Sequence, residues 1–487
     1  MTNKNLSSIN MIKWNKNTIL SGVLPILGIN MQAQEQLSRP NIVFILADDM
    51  GWKDLSCYGN NFNETPHIDS LAGSGIRFTQ AYAAAPVSSP TRASILTGKH
   101  PAELKLTNFI VGDKTDPKSP VLPAKWTPYL SSKEITLAEI LKQNGYRTSM
   151  VGKWHLGTGD SIAPWNQGFD YTRMINKNGL DYYNYSIAID SYQNEFVDKG
   201  TDYLTDKLTS YGVDFIRQNE KKPFFLYLAY SAPHVLLVPK AEKIKKYLLK
   251  CGYNGTKAGN PYYAAMLESL DDGVGEIMKS LRLSGQLENT IIIFASDNGG
   301  VGMEELGPTP TSNLPLRKWK GFLYEGGIRV PTIVSWKSKL SPAISDYYFS
   351  SIDYLPTLCE MVGIKKLPDS ISGKSIVPLL YQQSENKIQN DTLYWHYPHF
   401  SNQGSRPAGA VRCGDFKLIE NYETHELELY NLKNDIGELH NLSKTDKKKT
   451  IEMYNMLDNW RKKNNAEMPI KKSKNLKFKK LLFENEY

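Results

Sequence analysis

Beyond residue 40, two spacings of apolar residues alternate along the chain. Short runs cover 41–47, 147–151, 223–229 and 290–295, almost wholly apolar except at 147–151, where Arg147-Thr148-Ser149 precede Met150-Val151, and longer stretches between them repeat apolar positions every three or four residues. An uninterrupted run of that length suits a strand buried on both faces, which a parallel sheet covered by helices requires. Thr136-Leu137-Ala138-Glu139 reads as a capping box that sets Leu137, Ile140 and Leu141 on one helical face, with Gly145 placed to stop the helix. Ala264, Leu267, Leu270, Val274, Ile277 and Leu281 predict a later core-facing helix of about two dozen residues. The alternation predicts βαβ units around a mostly parallel sheet, an α/β domain. A polar stretch, 381–391, then reads as a linker, and a different pattern follows it. Residues 409–419 predict a hairpin turning at Gly414-Asp415, 428–432 another strand and 451–460 a helix, so a smaller α+β subdomain is expected. The divisions fall at 34–385 and 386–487.

The first 33 residues read as an export signal. Lys4, Lys13 and Lys16 precede an uncharged apolar run, 18–29, and Ala33 offers a small residue for cleavage. The run is shorter than a spanning helix needs and no cysteine follows it, which disfavours a membrane or lipid anchor. The expected location is periplasmic or secreted, in a bacterial source. Of the 487 residues 40% are hydrophobic and 22% charged, a composition that folds. Fifty-eight Lys and Arg against 50 Asp and Glu give +8, without the concentrated basic face that nucleic-acid binding needs. The basic tail, 471–480, reads as a solvated face or as a contact for a polyanionic glycan. Cys57, Cys251, Cys359 and Cys413 form no C-x-x-C pair, which argues against a zinc ribbon or a disulfide scaffold.

Each apolar run is followed by chemically capable residues: Asp48-Asp49, Lys153 and His155, His234, and Asp297-Asn298. In a parallel sheet the strands' C-terminal ends share one edge, so these four clusters are expected to converge in a single crevice. Asp48, Asp49, Asp297 and Asn298 supply hard oxygen donors suited to Ca²⁺ or Mg²⁺, and calcium is preferred because it tolerates irregular coordination. His425-Glu426-Leu427-Glu428-Leu429 lacks the second histidine of a zincin, and Gly373-Lys374-Ser375 lacks the first glycine of a P-loop.

Pro86 to Lys99 carries Ser88-x-Pro90-Thr91-Arg92 followed by Leu96-Thr97-Gly98. These residues resemble the sulfatase signature, in which the first position is converted to formylglycine. Gly152-Lys153-Trp154-His155-Leu156-Gly157, Ala232-Pro233-His234, Ser296-Asp297-Asn298-Gly299, Lys320-Gly321 and Glu325-Gly326-Gly327-Ile328-Arg329-Val330-Pro331 match that family's blocks in order. Many members carry cysteine where this chain has Ser88, so it resembles the serine subtype, which depends on a radical maturation enzyme. The resemblance implies an alkaline-phosphatase-like fold, a large mixed, mostly parallel sheet flanked by helices with a small C-terminal antiparallel sheet. It also implies that hydrated formylglycine at residue 88 attacks sulfur with its oxygen on a metal held by Asp48, Asp49, Asp297 and Asn298. Arg92 and Lys153 would stabilise the hydrate, Lys320 would bind a sulfate oxygen, His234 would protonate the departing alcohol, and His155 would take the proton that expels sulfate. From the residues themselves, Pro90 favours a first helical turn, which places Ser88 just before a helix whose N-terminus favours negative charge.

The expected substrate is a sulfated carbohydrate of mucin, glycosaminoglycan or algal origin, with 4-O-sulfated galactose or N-acetylgalactosamine preferred. His396 and His399, in an aromatic segment, read either as a sugar-contacting rim or as packing between domains. The alternatives are a phosphomonoester or phosphonate hydrolase of the same superfamily, and a non-catalytic glycan-binding protein if Ser88 is never converted.

Overall fold

The computed structural model describes residues 39–112, 114–177, 179–199, 202–251, 259–381 and 392–472. The expected export signal, the linker from 382 on and the tail beyond 472 lie outside them. In chain order the strands are β1 (Asn41–Ala47), β2 (Ile76–Tyr82), β3 (Val121–Leu122), β4 (Arg147–Gly152), β5 (Tyr171–Lys177), β6 (Asn184–Ile189), β7 (Glu195–Lys199) and β8 (Phe224–Ala229). There follow β9 (Thr290–Ser296), β10 (Arg329–Ser335), β11 (Ala343–Ser350), β12 (Leu393–Tyr397), β13 (Ala408–Cys413), β14 (Phe416–Asn421), β15 (Leu427–Asn431) and β16 (Ile470–Lys471).

The four apolar runs become four adjacent strands. A ten-stranded sheet has the order β11-β2-β10-β9-β1-β8-β4-β5-β6-β7, with the runs at β9-β1-β8-β4. These pair in parallel, as does β5 with β4, whereas β10, β6 and β7 join antiparallel. Ile42, Phe44 and Leu46 of β1 enter one core layer, and Val43, Ile45 and Ala47 enter the other, because successive side chains leave opposite faces. Helices Leu204–Gln218 and Pro261–Leu283 cover the second layer, where Leu267, Leu270, Val274, Ile277 and Leu281 form the expected stripe. Ala264 instead packs beside Phe62 and Tyr247. On the first layer, Thr136 Oγ1 accepts from Glu139 N at 3.1 Å and Glu139 Oε2 accepts from Thr136 N at 2.7 Å, closing the expected capping box of helix Leu137–Gln143.

The smaller sheet, β12-β13-β14-β15, is antiparallel throughout and turns at Gly414 (φ 59°). One face packs Val411, Leu418 and Leu429 against Met453 and Leu457 of helix Lys447–Lys463. That helix begins before the expected 451 because Asp446 accepts a hydrogen bond from Lys449 N at 3.0 Å, a cap that lends order to lysines with no apolar period. The other face carries Trp395, Tyr397, Ala410, Ile419 and Tyr430 onto Tyr82, Val87 and Ile328 of the large domain. None of Cys57, Cys251, Cys359 and Cys413 is in a disulfide. Among the described residues no helix is long and apolar enough to cross a membrane.

Candidate active site

Strand register explains why the chemical residues meet. Ala47 pairs with Ser296, so Asp48 and Asp297 leave the sheet level with one another. Gly152 pairs with Ala229, and Lys153 N donates to Ala229 O at 2.8 Å, which brings Lys153 to the same rim. The rim is held by its own backbone: Asp48 N donates to Ala232 O and Asp297 N to Ala47 O, both at 3.2 Å. Asp49 takes a left-handed conformation (φ 61°) that turns its carboxylate back over the strand ends. Its N–H donates to Asp297 Oδ1 at 3.2 Å, and its Oδ1 accepts from Asn298 Nδ2 at 2.8 Å.

The buried carboxylates face cations. Asp48 meets Lys153 Nζ in a short ion pair and Arg92 Nη2 at 3.5 Å. Asp49 Oδ2 meets Lys320 Nζ at 2.8 Å and His234 Nε2 at 3.2 Å. Asp297 Oδ2 accepts from Arg92 Nε at 3.0 Å and Nη2 at 2.8 Å, with both side chains fully buried. Burial alone raises a carboxylate pKa, yet Asp48 lies below the ordinary value because Lys153, His234 and Arg92 override it. Asp49 is lowered likewise, by His234 and Lys320 against burial. For Lys320, burial disfavours the charge but Asp49 and Asp48 outweigh it and raise the pKa.

Ser88 opens the helix Ser88–Thr97, every residue of which is buried. Val87, in the interdomain core, occupies the cap position, so Ser88 is the first helical residue and not the one before it. Its hydroxyl caps nothing. Ser88 Oγ lies 3.3 Å from both Asp48 Oδ1 and Asn298 Oδ1. A serine spent on local structure would bond the N–H groups of its own helix; this one turns to the acidic cluster. Arg92, one turn on, reaches Asp297 and also donates from Nη1 to Lys153 O at 2.9 Å.

The structure therefore brings together Asp48, Asp49, Ser88, Arg92, Lys153, His234, Asp297, Asn298 and Lys320. His155, half-buried, stands beside them with Nε2 3.4 Å from Ile110 O. His396 and His399 stand elsewhere. They are 4% and 1% exposed; His396 bonds Tyr422 OH and Glu467 O, and His399 bonds Thr107 Oγ1 at 2.8 Å. Burial pushes their pKa values down to about 4 and about 3. The His399 contact matches packing between domains, whereas His396 packs within the small domain. The sequence carries no pattern for a cavity of about 280 Å³ beside the cluster, lined by Asp48, Lys153 and His155 together with Trp154, Met174 and Tyr192. Met174 comes from β5, and Tyr192 from the turn between β6 and β7, elements whose mixed apolar and polar positions do not announce themselves. Nor did it mark Ile110, in a loop without period or motif.

Fold and cluster together define a hydrolase of alkaline-phosphatase-like architecture. The family model described as Sulfatase matches residues 40–364, and that described as N-sulphoglucosamine sulphohydrolase, C-terminal, matches residues 318–464. A sulfatase of Formosa agariphila is 32% identical, covering 92% of this chain and 94% of its own length. An N-acetylgalactosamine-6-O-sulfatase of Bacteroides thetaiotaomicron is 28% identical, covering 90% and 97%. The crystal structure of Ps i-CgsB in complex with k-i-k-neocarrahexaose matches with a TM-score of 0.75 at 28% identity, covering 88% of this chain and 93% of that one. The chain belongs to the sulfatase family, and it is a sulfatase enzyme.

Proposed function

We propose that this sulfatase removes O-sulfate from a sulfated carbohydrate after Ser88 has been oxidised by a serine-type maturation enzyme, with one Ca²⁺ held by Asp48, Asp49, Asp297, Asn298 and residue 88. The observation that carries the reading is the Ser88 hydroxyl, which leaves its own helix unbonded and faces Asp48 and Asn298. The donor set fits a hard cation. All of its side-chain ligands are oxygens, and Asp48 and Asp49 already converge so closely that, with His234, their ligand atoms lie within 4.8 Å of one another. Charge agrees. Asp48, Asp49 and Asp297 are balanced by Arg92, Lys153 and Lys320, so the cluster by itself has no surplus positive charge for a sulfate ester. Residue 88, as a hydrated aldehyde, would supply the oxygen nucleophile, and the divalent cation the charge that favours its ionised form.

The chain's own side chains do the rest. Arg92 and Lys153 hold the head of the helix positive where the nucleophile stands. Lys320 Nζ and His234 Nε2, 3.3 Å apart, share one wall, suited to a sulfate oxygen and to the leaving alcohol. The His234 Nδ1–H donates to its neighbour's carbonyl, Val235 O, which aims Nε2 inward. His155 serves as the base for sulfate release. The cavity beside the cluster combines apolar walls with Tyr192, a lining suited to a sugar ring. The carbohydrate class is supported by the N-acetylgalactosamine-6-O-sulfatase relative and by the neocarrahexaose complex. Within that class 4-O-sulfated galactose or N-acetylgalactosamine is the substrate we favour, and the enzyme would act after export.

The test is desulfation of defined 4-O- and 6-O-sulfated saccharides by protein from its native host, with matched phosphate esters as controls. The peptide Phe78 to Arg92 should weigh about 2 Da less than its genetic mass, the loss of two hydrogens. Full activity with unmodified serine would refute the mechanism, and preference for phosphate esters would refute the reaction.

A further inference from the structure

His155 is held from one side only. Its Nε2 lies 3.4 Å from the Ile110 carbonyl oxygen, while its Nδ1 is buried and has no hydrogen-bond partner. A carbonyl can only accept, so Nε2 carries the proton of the neutral ring and Nδ1 the lone pair. Burial foremost, then the charges of Lys153 and Arg92, depress the His155 pKa well below the ordinary histidine value, so the resting ring is neutral. Leaving a buried acceptor without a donor is costly. At a reaction centre, such an atom is one that waits for a proton.

The loop that carries the Ile110 carbonyl is in turn held at several of its residues. Ile110 N donates to Ser89 Oγ at 3.2 Å, tying the peptide before that carbonyl to the residue after Ser88. Asn108 closes the loop on itself through Nδ2 to Gly112 O at 2.9 Å, and its Oδ1 accepts from Phe109 N at 3.0 Å. The same Oδ1 accepts from Tyr397 OH at 3.1 Å. Asn108 and Tyr397 are both 1% exposed, so these bonds face no competition from bulk water. Tyr397 ends β12, and the small domain therefore reaches across the interdomain core to the loop that sets a catalytic ring.

We propose that the Ile110 carbonyl fixes His155 as the Nε2–H tautomer and so presents Nδ1 as the proton acceptor, and that Ser89, Asn108 and Tyr397 are positioning residues for that carbonyl. The inference rests on the base role given to His155 above and names the atom and the supports through which it acts. The step begins with one proton transfer. An O–H bond of a hydroxyl at residue 88 would break as an Nδ1–H bond forms, the freed electron pair would close the C=O bond of residue 88, the C–O bond to sulfate would break with its pair leaving on sulfate, and the imidazolium would return the proton to water.

The experiment is a long-range ¹H–¹⁵N correlation spectrum of protein labelled at histidine, at neutral pH, with the His155 signal assigned by its loss in His155→Gln. Protonated and unprotonated ring nitrogens differ widely in ¹⁵N shift. The expected result is a protonated Nε2 and an unprotonated Nδ1 in the full-length protein, matured or not, so the readout stands apart from sulfatase activity. Asn108→Ala and Tyr397→Phe should mix the two tautomers. In matured protein each should lower kcat on an aryl sulfate by about 10-fold or more, short of the roughly 10²–10⁴-fold that a whole general base contributes, with KM little changed. An Nδ1–H tautomer or an imidazolium in the unmutated protein would overturn the proposal without any variant. So would folded Asn108→Ala protein with an unchanged spectrum and kcat. If the tautomer is as expected but His155→Gln keeps full turnover, the base role fails, and the proposal that depends on it falls with it.

Discussion

Arg92→Met removes the guanidinium and keeps a long apolar side chain in its place. Asp297 would lose both Arg92 contacts and retain the Asp49 N–H at 3.2 Å, while Asp48 would retain Lys153. Arg92 and Asp297 have no exposed side-chain surface, so water cannot replace what is lost. Breaking a buried pair from one side costs roughly 3–5 kcal/mol, because the remaining charge stays buried and unpaired. Unfolding entropy is about 2.1 cal/mol/K per residue, or roughly 0.85 kcal/mol/K over some 400 ordered residues, so the cost appears as a fall in Tm of about 4–6 °C. That figure applies in chelator. In excess calcium the loss should shrink to about half or less, because a cation bound to Asp297 neutralises the charge that Arg92 left behind and binding stabilises the folded state by mass action. The assay is calorimetric or fluorescence-monitored unfolding of both proteins in EDTA and in calcium. A loss below 1 °C in EDTA would show that Asp297 does not depend on Arg92, and an equal loss in both conditions would show that Asp297 is not a metal ligand.

Chelation should abolish activity and calcium restore it in the unmutated enzyme, whereas Asp297→Ala should stay inactive at the same calcium concentration; activity indifferent to chelator would remove the metal. His234→Ala should slow a sugar sulfate by about 10²-fold or more, yet slow an aryl sulfate with an acidic phenol much less, since that leaving group needs little protonation. Equal losses on both substrates would shift the acid role to Lys320. Glu438 is fully buried, and burial pushes its pKa from 4.5 up to about 7 although Lys417 opposes the shift. Its ionisation therefore costs stability increasingly as pH rises from 4.5 to about 7. Glu438→Gln, which keeps the shape of the neutral acid, should raise Tm above pH 7 by the equivalent of roughly 1–3 kcal/mol, with the gain vanishing near pH 4.5; a gain independent of pH would contradict the assignment.

The sequence announced the centre of the sheet and little of its flanks, for a physical reason. β1, β8 and β9 are sandwiched between helices, so nearly every residue is apolar and the pattern is plain, while β4 is buried after Arg147 but mixes Thr148 and Ser149 with Met150 and Val151. β2 and β11 sit toward one edge and mix buried with half-exposed positions, and β5 to β7 extend the other edge in the same way. Their identity depends on neighbours far away in the chain. The cluster was legible because it hangs on the buried strands: wherever an unbroken apolar run stops at Asp, Lys or His, the sheet itself gathers those residues. Ile110 and the lining of the cavity had no such anchor, since a backbone carbonyl has no signature and a loop wall has no period. His396 and His399 show the converse. Aromatic and imidazole groups are conspicuous in a sequence, yet here the fold spends His396 within the small domain and His399 on Thr107 across the joint.

That joint bears on the chemistry. The segment carrying Lys320 is gripped by the small domain: Arg317 Nη1 donates to Tyr430 OH and to Glu438 O, each at 2.8 Å, and Trp319 Nε1 donates to Gln403 O at 3.2 Å. Glu325 N donates to Glu438 Oε2 at 2.8 Å, and Lys417 Nζ bridges Glu325 at 2.9 Å and Glu438 at 3.0 Å, all out of contact with water. The loop that orients His155 is gripped from the same side through Tyr397. The carboxylates, by contrast, stand on the sheet rim and need only the large domain. The cluster is thus assembled from two directions, with the acidic set built into β1 and β9 while Lys320 and the support of His155 depend on the docked sheet. The buried Lys417–Glu325 ion pair is poor at adding net stability but costly to break from one side, which suits a joint that must keep register. In the proposed mechanism the small domain would act on the reaction without supplying a reacting atom, by fixing where Lys320 and the loop beside His155 stand relative to Ser88.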